Sequence, residues 1–334
     1  MIITIKNINM MDYKRLVLYT ALAACFSACG NDTLLDTEMQ PDGKMELSLS
    51  SGIEVVQAST RGSLSQDTQF NQDALIDVFI SESATGAATT TYDQPLVAKA
   101  TDASGTLAFK SGSGYTTDNP QYWPTSGNGV NIYAWYPQDK MGANIEATSV
   151  TFTIHTTTED TKTVSDQSSD ITASDLMWGR PSSNPVSRTS SAVQLTFKHL
   201  LTKVRVVLEA GNGVAATELQ NATIRLNDVF TSVTVTDLKD PTASGKLTTN
   251  TSPDADKADY VYVLKDGDGT TDDANSNVCV IPPQALTSIT VILNSGGVLT
   301  ATVSDALAAS TAYKYTLTVT NTALAVSSTI DTWG

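Results

Sequence analysis

The chain is poor in histidine, cysteine and basic charge, and each shortage removes a class of function. Its 334 residues include 2 histidines and 3 cysteines. His155 and His199 stand in or beside strand-like segments with no cysteine or second histidine nearby, so no zinc-ligand spacing exists. Serines are plentiful, but none stands in a nucleophile elbow, and a Ser/His/Asp site has no local signature. Nothing sets two carboxylates at the separation that glycosidase chemistry needs. The acidic loop Lys265-Asp266-Gly267-Asp268-Gly269-Thr270-Thr271-Asp272-Asp273 lacks the EF-hand's glycine at loop position six and its closing Glu, and reads as a solvated hairpin loop. The sequence thus points away from an enzyme and calls for no cofactor and no metal. Lys and Arg number 20 against 35 Asp and Glu, for a net charge of −15, and no basic run lies beyond the N-terminal segment. A phosphate-binding face needs a local cationic excess, so nucleic acid is excluded as a partner.

What fills the chain instead is Ser and Thr, about a quarter of all residues, a composition that suits pleated, half-exposed surfaces. Apolar residues alternate with period two from Met45 onward, between clusters of Gly, Asn, Asp, Ser and Pro. The cleanest runs begin at Ile132, Val150, Val204, Tyr260, Ile289 and Tyr313. Most show one apolar face and one face of Thr, Lys or Arg, as a sandwich with one buried and one wet face per sheet requires. The fold class is therefore all-β. At about 150 residues per domain the length suggests two domains. The polar, Ser-rich stretch 160–191, which holds Pro181, Pro185 and the apolar knot Leu176-Met177-Trp178, reads as their junction, with the knot packing down and the rest exposed. Cys279, inside Asn277-Val278-Cys279-Val280-Ile281, reads as a small core hydrophobe.

The two ends carry the sharper signals. Met11-Asp12-Tyr13-Lys14-Arg15 supplies a charged start, and the apolar stretch from Leu16 to Ala24 is too short to span a bilayer, which takes about 20 residues of helix. Small residues precede a cysteine twice, in Leu22-Ala23-Ala24-Cys25 and Phe26-Ser27-Ala28-Cys29. Both resemble a bacterial lipobox. The polar Gly30-Asn31-Asp32 favours Cys29 as the lipidated residue, with Cys25 as the alternative. From Met45, the residues Leu47, Leu49, Ile53 and Val55 give a first strand with one apolar face. A polar linker follows, Gln57-Ala58-Ser59-Thr60-Arg61-Gly62, in which Arg61-Gly62 offers a trypsin-like protease an extended basic cut site. At the other end, Leu324, Val326 and Ile330 share a face and Trp333 supplies a terminal aromatic anchor. If the first strand were cut away, its groove would expose unpaired backbone and apolar pockets that a neighbour's terminal strand could fill. Such an exchange is heterologous and does not close, so it builds a filament.

Nearly the whole mature chain resembles the fimbrillin family, subunits of type V pili of Gram-negative bacteria. The resemblance rests on the lipoprotein signal, Thr60-Arg61-Gly62 after a first strand, the aromatic and acidic strand from Phe70 to Ile80, Tyr122-Trp123-Pro124 followed by Ile132-Tyr133-Ala134-Trp135-Tyr136-Pro137, Asp175-Leu176-Met177-Trp178-Gly179, the segment from Leu195 to Val204, and the tail Ser328-Thr329-Ile330-Asp331-Thr332-Trp333. It implies two transthyretin-like β-sandwich domains in tandem after a lipoprotein signal peptide. The expected division is a signal peptide over 1–28, with Met11 as its start, a propeptide with the first strand over 29–61, and sandwiches over 62–188 and 189–334. It further implies a cut between Arg61 and Gly62, and a donor strand carrying Leu324, Val326, Ile330 and Trp333. The expected partners are other fimbrial subunits, a trypsin-like processing protease, the outer membrane through the lipid anchor before processing, and a possible host or bacterial surface receptor. The expected location is the outer membrane surface and the fimbrium. The alternative is a monomeric surface lipoprotein that binds a host ligand or a glycan, the glycan on a stacking platform of Tyr122, Trp123, Trp135 and Tyr136.

Overall fold

The computed structural model describes residues 43–54, 69–84, 87–89, 96–102, 104–111, 114–115, 120–142, 145–154, 163–165, 174–249, 257–264 and 278–331. The chain divides into two units, 1–46 and 47–334. Only residues 43–46 of the first are described, and the fold is that of the second.

The fold is all-β. Each of the six cleanest alternating runs lies on a strand: Gly129–Tyr136, Val150–Thr153, Thr202–Ala210, Lys257–Val263, Ala285–Ile292 and Thr311–Val319. The single described α-helix, Ala216–Leu219, is four residues long. No helix among the described residues is long and apolar enough to cross a membrane.

Seven described strands close a ring. In spatial order they are Leu49–Ile53, Val193–His199, Met177–Arg180, Gly129–Tyr136, Leu75–Ala84, Leu96–Ala100 and Thr106–Ser111, and the last pairs back to the first. Closure removes the open backbone edges that a flat sheet would leave. Ile76, Val78, Ile80, Ile132, Ala134, Leu195 and Phe197, which recur at alternate positions of their strands, are buried. Phe70 packs edge-on against Phe197, with ring centroids 4.8 Å apart, and lies 5.0 Å from Tyr136. A Cβ at Gly179 would come within 2.8 Å of the Phe197 ring, so the strand Met177–Arg180 carries glycine where that ring passes.

Further described strands form a four-stranded sheet ordered Val278–Ile281, Thr202–Ala210, Thr311–Val319, Leu324–Asp331, and a five-stranded sheet ordered Thr163–Ser165, Lys257–Val263, Thr223–Phe230, Ala285–Ile292, Val298–Ala306. A small third sheet joins Val150–Thr153, Ser232–Val235 and Leu247–Thr249. One continuous buried cluster links this part to the ring: Phe79, Trp135, Met141, Leu176 and Trp178 pack with Leu201, Val206, Leu226, Val291 and Leu317. The aromatics on these ring strands therefore serve a core common to both halves.

Strand pairing crosses the 188/189 position in both directions. Val193–His199 belongs to the ring, whereas Val150–Thr153 and Thr163–Ser165 pair with strands beyond residue 230 and residue 256 respectively. The apolar knot within 160–191 packs down, as its residues predict, and it does so as a strand. Leu176, Met177 and Trp178 are buried, and Met177–Arg180 is a central strand flanked on both sides. Its four residues are too few to show a period among polar neighbours.

Candidate assembly site

The site is the groove that holds Leu49–Ile53. The alternation read from the sequence is real but interrupted, since Glu46–Leu47 and Leu49–Ile53 are separate strands broken at Ser48. Leu47, Leu49, Ser51 and Ile53 are buried. One wall of the groove is Val193–His199, parallel, in the register from Leu49 opposite Val193 to Ile53 opposite Phe197. The other is Thr106–Ser111, antiparallel, with Leu49 opposite Leu107. Burying the side chains of Leu49 and Ile53 contributes roughly 1.5–3 kcal/mol each.

Ser51 is the polar exception on the apolar face. Its N–H donates to the Gly105 carbonyl at 2.7 Å and its hydroxyl donates to the same oxygen at 3.1 Å. Gly105 sits at φ +79°, and a Cβ there would meet the Ser51 carbonyl oxygen at 2.1 Å and Gln69 Oε1 at 2.4 Å, so only glycine fits. The Asp102 carboxylate shapes this turn by accepting from the Ser104 hydroxyl at 2.7 Å, the Ser104 N–H at 2.9 Å and the Thr106 N–H at 3.1 Å. These bonds, the Ser104 hydroxyl first, stabilise the carboxylate and hold its pKa down to about 2. On the outward face Ser50 Oγ donates to Gln194 Oε1 at 3.0 Å, and Glu54 pairs with Lys198 at 2.8 Å.

Leu324–Asp331 is a strand, as its alternation predicts, but it is folded back on its own chain. It pairs antiparallel with Thr311–Val319 along its whole length, at the edge of the four-stranded sheet. Leu324 and Val326 are half-buried, and Ile330 is 47% exposed. Arg205 clamps the end of the strand, with Nε to Asp331 Oδ2 at 2.6 Å and Nη2 to Oδ1 at 3.0 Å, both side chains nearly buried. Sequence reasoning missed this fork. Its one signal was a cation in the apolar run Val204-Arg205-Val206, and its partner lies 126 positions away.

Cys25, Cys29, Arg61, Gly62, His155, the acidic loop 266–273 and Trp333 lie outside the described residues. His199 is buried, with Nδ1 2.9 Å from Asp175 Oδ1, and ties its strand to the start of Met177–Arg180. Cys279 is buried, and burial pushes its thiol well above the usual range, as befits a core hydrophobe. Trp123, Trp135 and Tyr136 are buried and Tyr122 is half-buried, so these four present no stacking platform. Among the described residues no group of three or more His, Cys, Asp or Glu gathers to hold a metal ion.

No curated protein sequence matches the chain. The fold is similar to that of a proposed cell adhesion protein from Bacteroides uniformis, with a TM-score of 0.58 and 17% identity, covering 88% of this chain and 100% of that one. It is also similar to one from Bacteroides ovatus, with a TM-score of 0.64 and 16% identity, covering 87% and 98%. At such identities the likeness is one of fold. The family described as fimbrillin-like matches residues 60–333, most of the chain. The chain therefore belongs to the fimbrillin-like family, as a structural fimbrial subunit of the cell surface and not an enzyme.

Proposed function

We propose that the chain is exported as a lipoprotein anchored in the outer membrane through Cys29, or alternatively Cys25, is cut between Arg61 and Gly62 by a trypsin-like protease, and polymerises by donor-strand exchange. The observation that supports this reading is the placement of Leu49–Ile53. The strand closes the ring between two walls, yet it lies on the N-terminal side of Arg61. A cut there would leave it held by non-covalent contacts alone, and its departure would open two backbone edges above an apolar floor. The processed chain would then carry two β-sandwich halves, 62–188 and 189–334 in sequence, with Val193–His199 of the second crossing over to serve as a groove wall of the first. The terminal strand with Leu324, Val326, Ile330 and Trp333 is the donor. A receptor on host or bacterial surfaces fits an adhesive role for the finished fibre. The burial of Trp123, Trp135 and Tyr136 speaks against the monomeric glycan-binding alternative.

The test is to treat the purified chain with a trypsin-like protease and follow filaments by electron microscopy. Cleavage at Arg61 with filament growth is expected, Arg61→Ala should abolish both, and a chain ending at Ala323 should be cut without assembling. A cut chain that stays monomeric would overturn the exchange.

A further inference from the structure

The strand that fills the groove and the strand at the C-terminus are written in nearly the same residues. Leu47-Ser48-Leu49-Ser50-Ser51-Gly52-Ile53-Glu54 lies over Leu324-Ala325-Val326-Ser327-Ser328-Thr329-Ile330-Asp331 with Leu, Ser, Ser and Ile identical and Leu/Val and Glu/Asp conservative. We propose that the terminal strand of a second copy of this chain enters the emptied groove in this one register, so that Leu324, Val326, Ser328 and Ile330 stand where Leu47, Leu49, Ser51 and Ile53 stood. The proposal rests on the exchange reading above and adds to it the register and the residues that set it.

The groove selects for the match. The first, second and fourth of these inward positions hold Leu47, Leu49 and Ile53, and the third lies against the Gly105 carbonyl, where Ser51 has both an N–H and a hydroxyl to give. A slip of two residues one way brings Val326 against that carbonyl, which removes the hydroxyl donor, and puts Ser328 in the slot of Ile53. A slip of two the other way brings Ile330 there and puts Ser328 in the slot of Leu49. A slip of one turns the whole apolar row outward. Only the matched register also returns a hydroxyl, that of Ser327, to Gln194 and a carboxylate, that of Asp331, to the neighbourhood of Lys198, the partners of Ser50 and Glu54.

The same comparison gives a direction to the transfer. At home on the four-stranded sheet the inward-type residues are poorly covered, with Ser328 exposed and Ile330 47% exposed, whereas Ser51 and Ile53 in the groove are 0% and 9% exposed. Against this stand the ladder with Thr311–Val319 and the Arg205–Asp331 fork, which retain the strand while no groove is open.

The register can be read by cross-linking. The chain from Gly62 onward has Cys279 as its only cysteine, and that residue is buried. Fibres would be grown from Arg61-cut chains carrying Gln194→Cys with one of Ala325→Cys, Ser327→Cys or Thr329→Cys, oxidised, and run on denaturing gels. Ser327→Cys should give interchain disulfide ladders several-fold faster than either neighbour. Fibres that link best through position 325 or 329, or through none of the three, would overturn the register, whereas a cut chain that forms no fibres would overturn the exchange itself. Ser328→Leu supplies the second arm. Because Ser328 is exposed at home, this variant should melt as the parent does and be cut normally, yet lose fibre yield at least tenfold, with Ser328→Ala losing far less. Parental fibre yield from Ser328→Leu would count against the proposal.

Discussion

Asp77 is a residue whose chemistry departs from its sequence context. It stands in the strand Leu75–Ala84 at 1% exposure, where burial pushes its pKa up to about 6. The nearby Asp139 charge adds to the rise, while the Asp139 N–H, donating to Oδ2 at 2.8 Å, opposes it. Its other oxygen meets no hydrogen-bond donor among the described residues. The folded chain thus keeps the proton that the unfolded chain gives up near the ordinary carboxylate value of 3.8. The stability this group contributes is fully present below that value and is lost as pH rises through about 6. Asp77→Asn should therefore raise the melting temperature above pH 6, by an amount that shrinks on acidification and vanishes near pH 4, measured by thermal scans across pH. A pH-independent gain would show that the charge is not the cause. Nothing local foretells this, because Asp-Val-Phe-Ile reads as an outward acid on an alternating strand, and only the tertiary fold buries it and brings the Asp139 N–H to it.

At the scale of the element, the terminal strand is governed by two terms of opposite sense. Its apolar face is half covered, and its end is held by a fork to Arg205 that is nearly buried. Removing one partner of such a pair leaves the other charge desolvated and alone, at a cost of about 3–5 kcal/mol. Arg205→Ala should strip hydrogen-exchange protection from the amides of Leu324–Asp331 first and leave the ring strands protected. Uniform loss across the whole chain would mean that the fork acts on global stability rather than on this strand. The alternation of Leu324, Val326 and Ile330 made the strand and its apolar face legible. Its home against Thr311–Val319 was not, because any strand with one apolar face satisfies the same local pattern.

For the molecule as a whole, the shared cluster decides how the two halves respond to stress. Trp135 and Trp178 are cross-strand neighbours at 0% and 1% exposure, and they pack into the core that includes Val206, Val291 and Leu317. A continuous core resists hinge motion better than a linker would. Trp178→Ala should cost about 3–5 kcal/mol, as truncation of a buried Trp does. By calorimetry the parent should unfold in one transition and the variant in two, as the halves separate energetically. Two transitions in the parent would show that the shared core does not couple them.

By itself the sequence determined the all-β class, the apolar faces of the first and last strands and the poverty of catalytic signals, because period-two alternation and residue chemistry are local properties. Its fimbrillin-like pattern was also legible, and the family match over residues 60–333 agrees with it. Tertiary structure alone decided which strands meet: Leu49–Ile53 beside a strand 144 positions away, an apolar knot built into a central strand, and an arginine forked to the far end of the chain. The physical reason is that partner choice depends on burying both faces of a strand at once and on closing long loops whose entropy grows only slowly with length, so that remote partners compete on nearly equal terms with near ones.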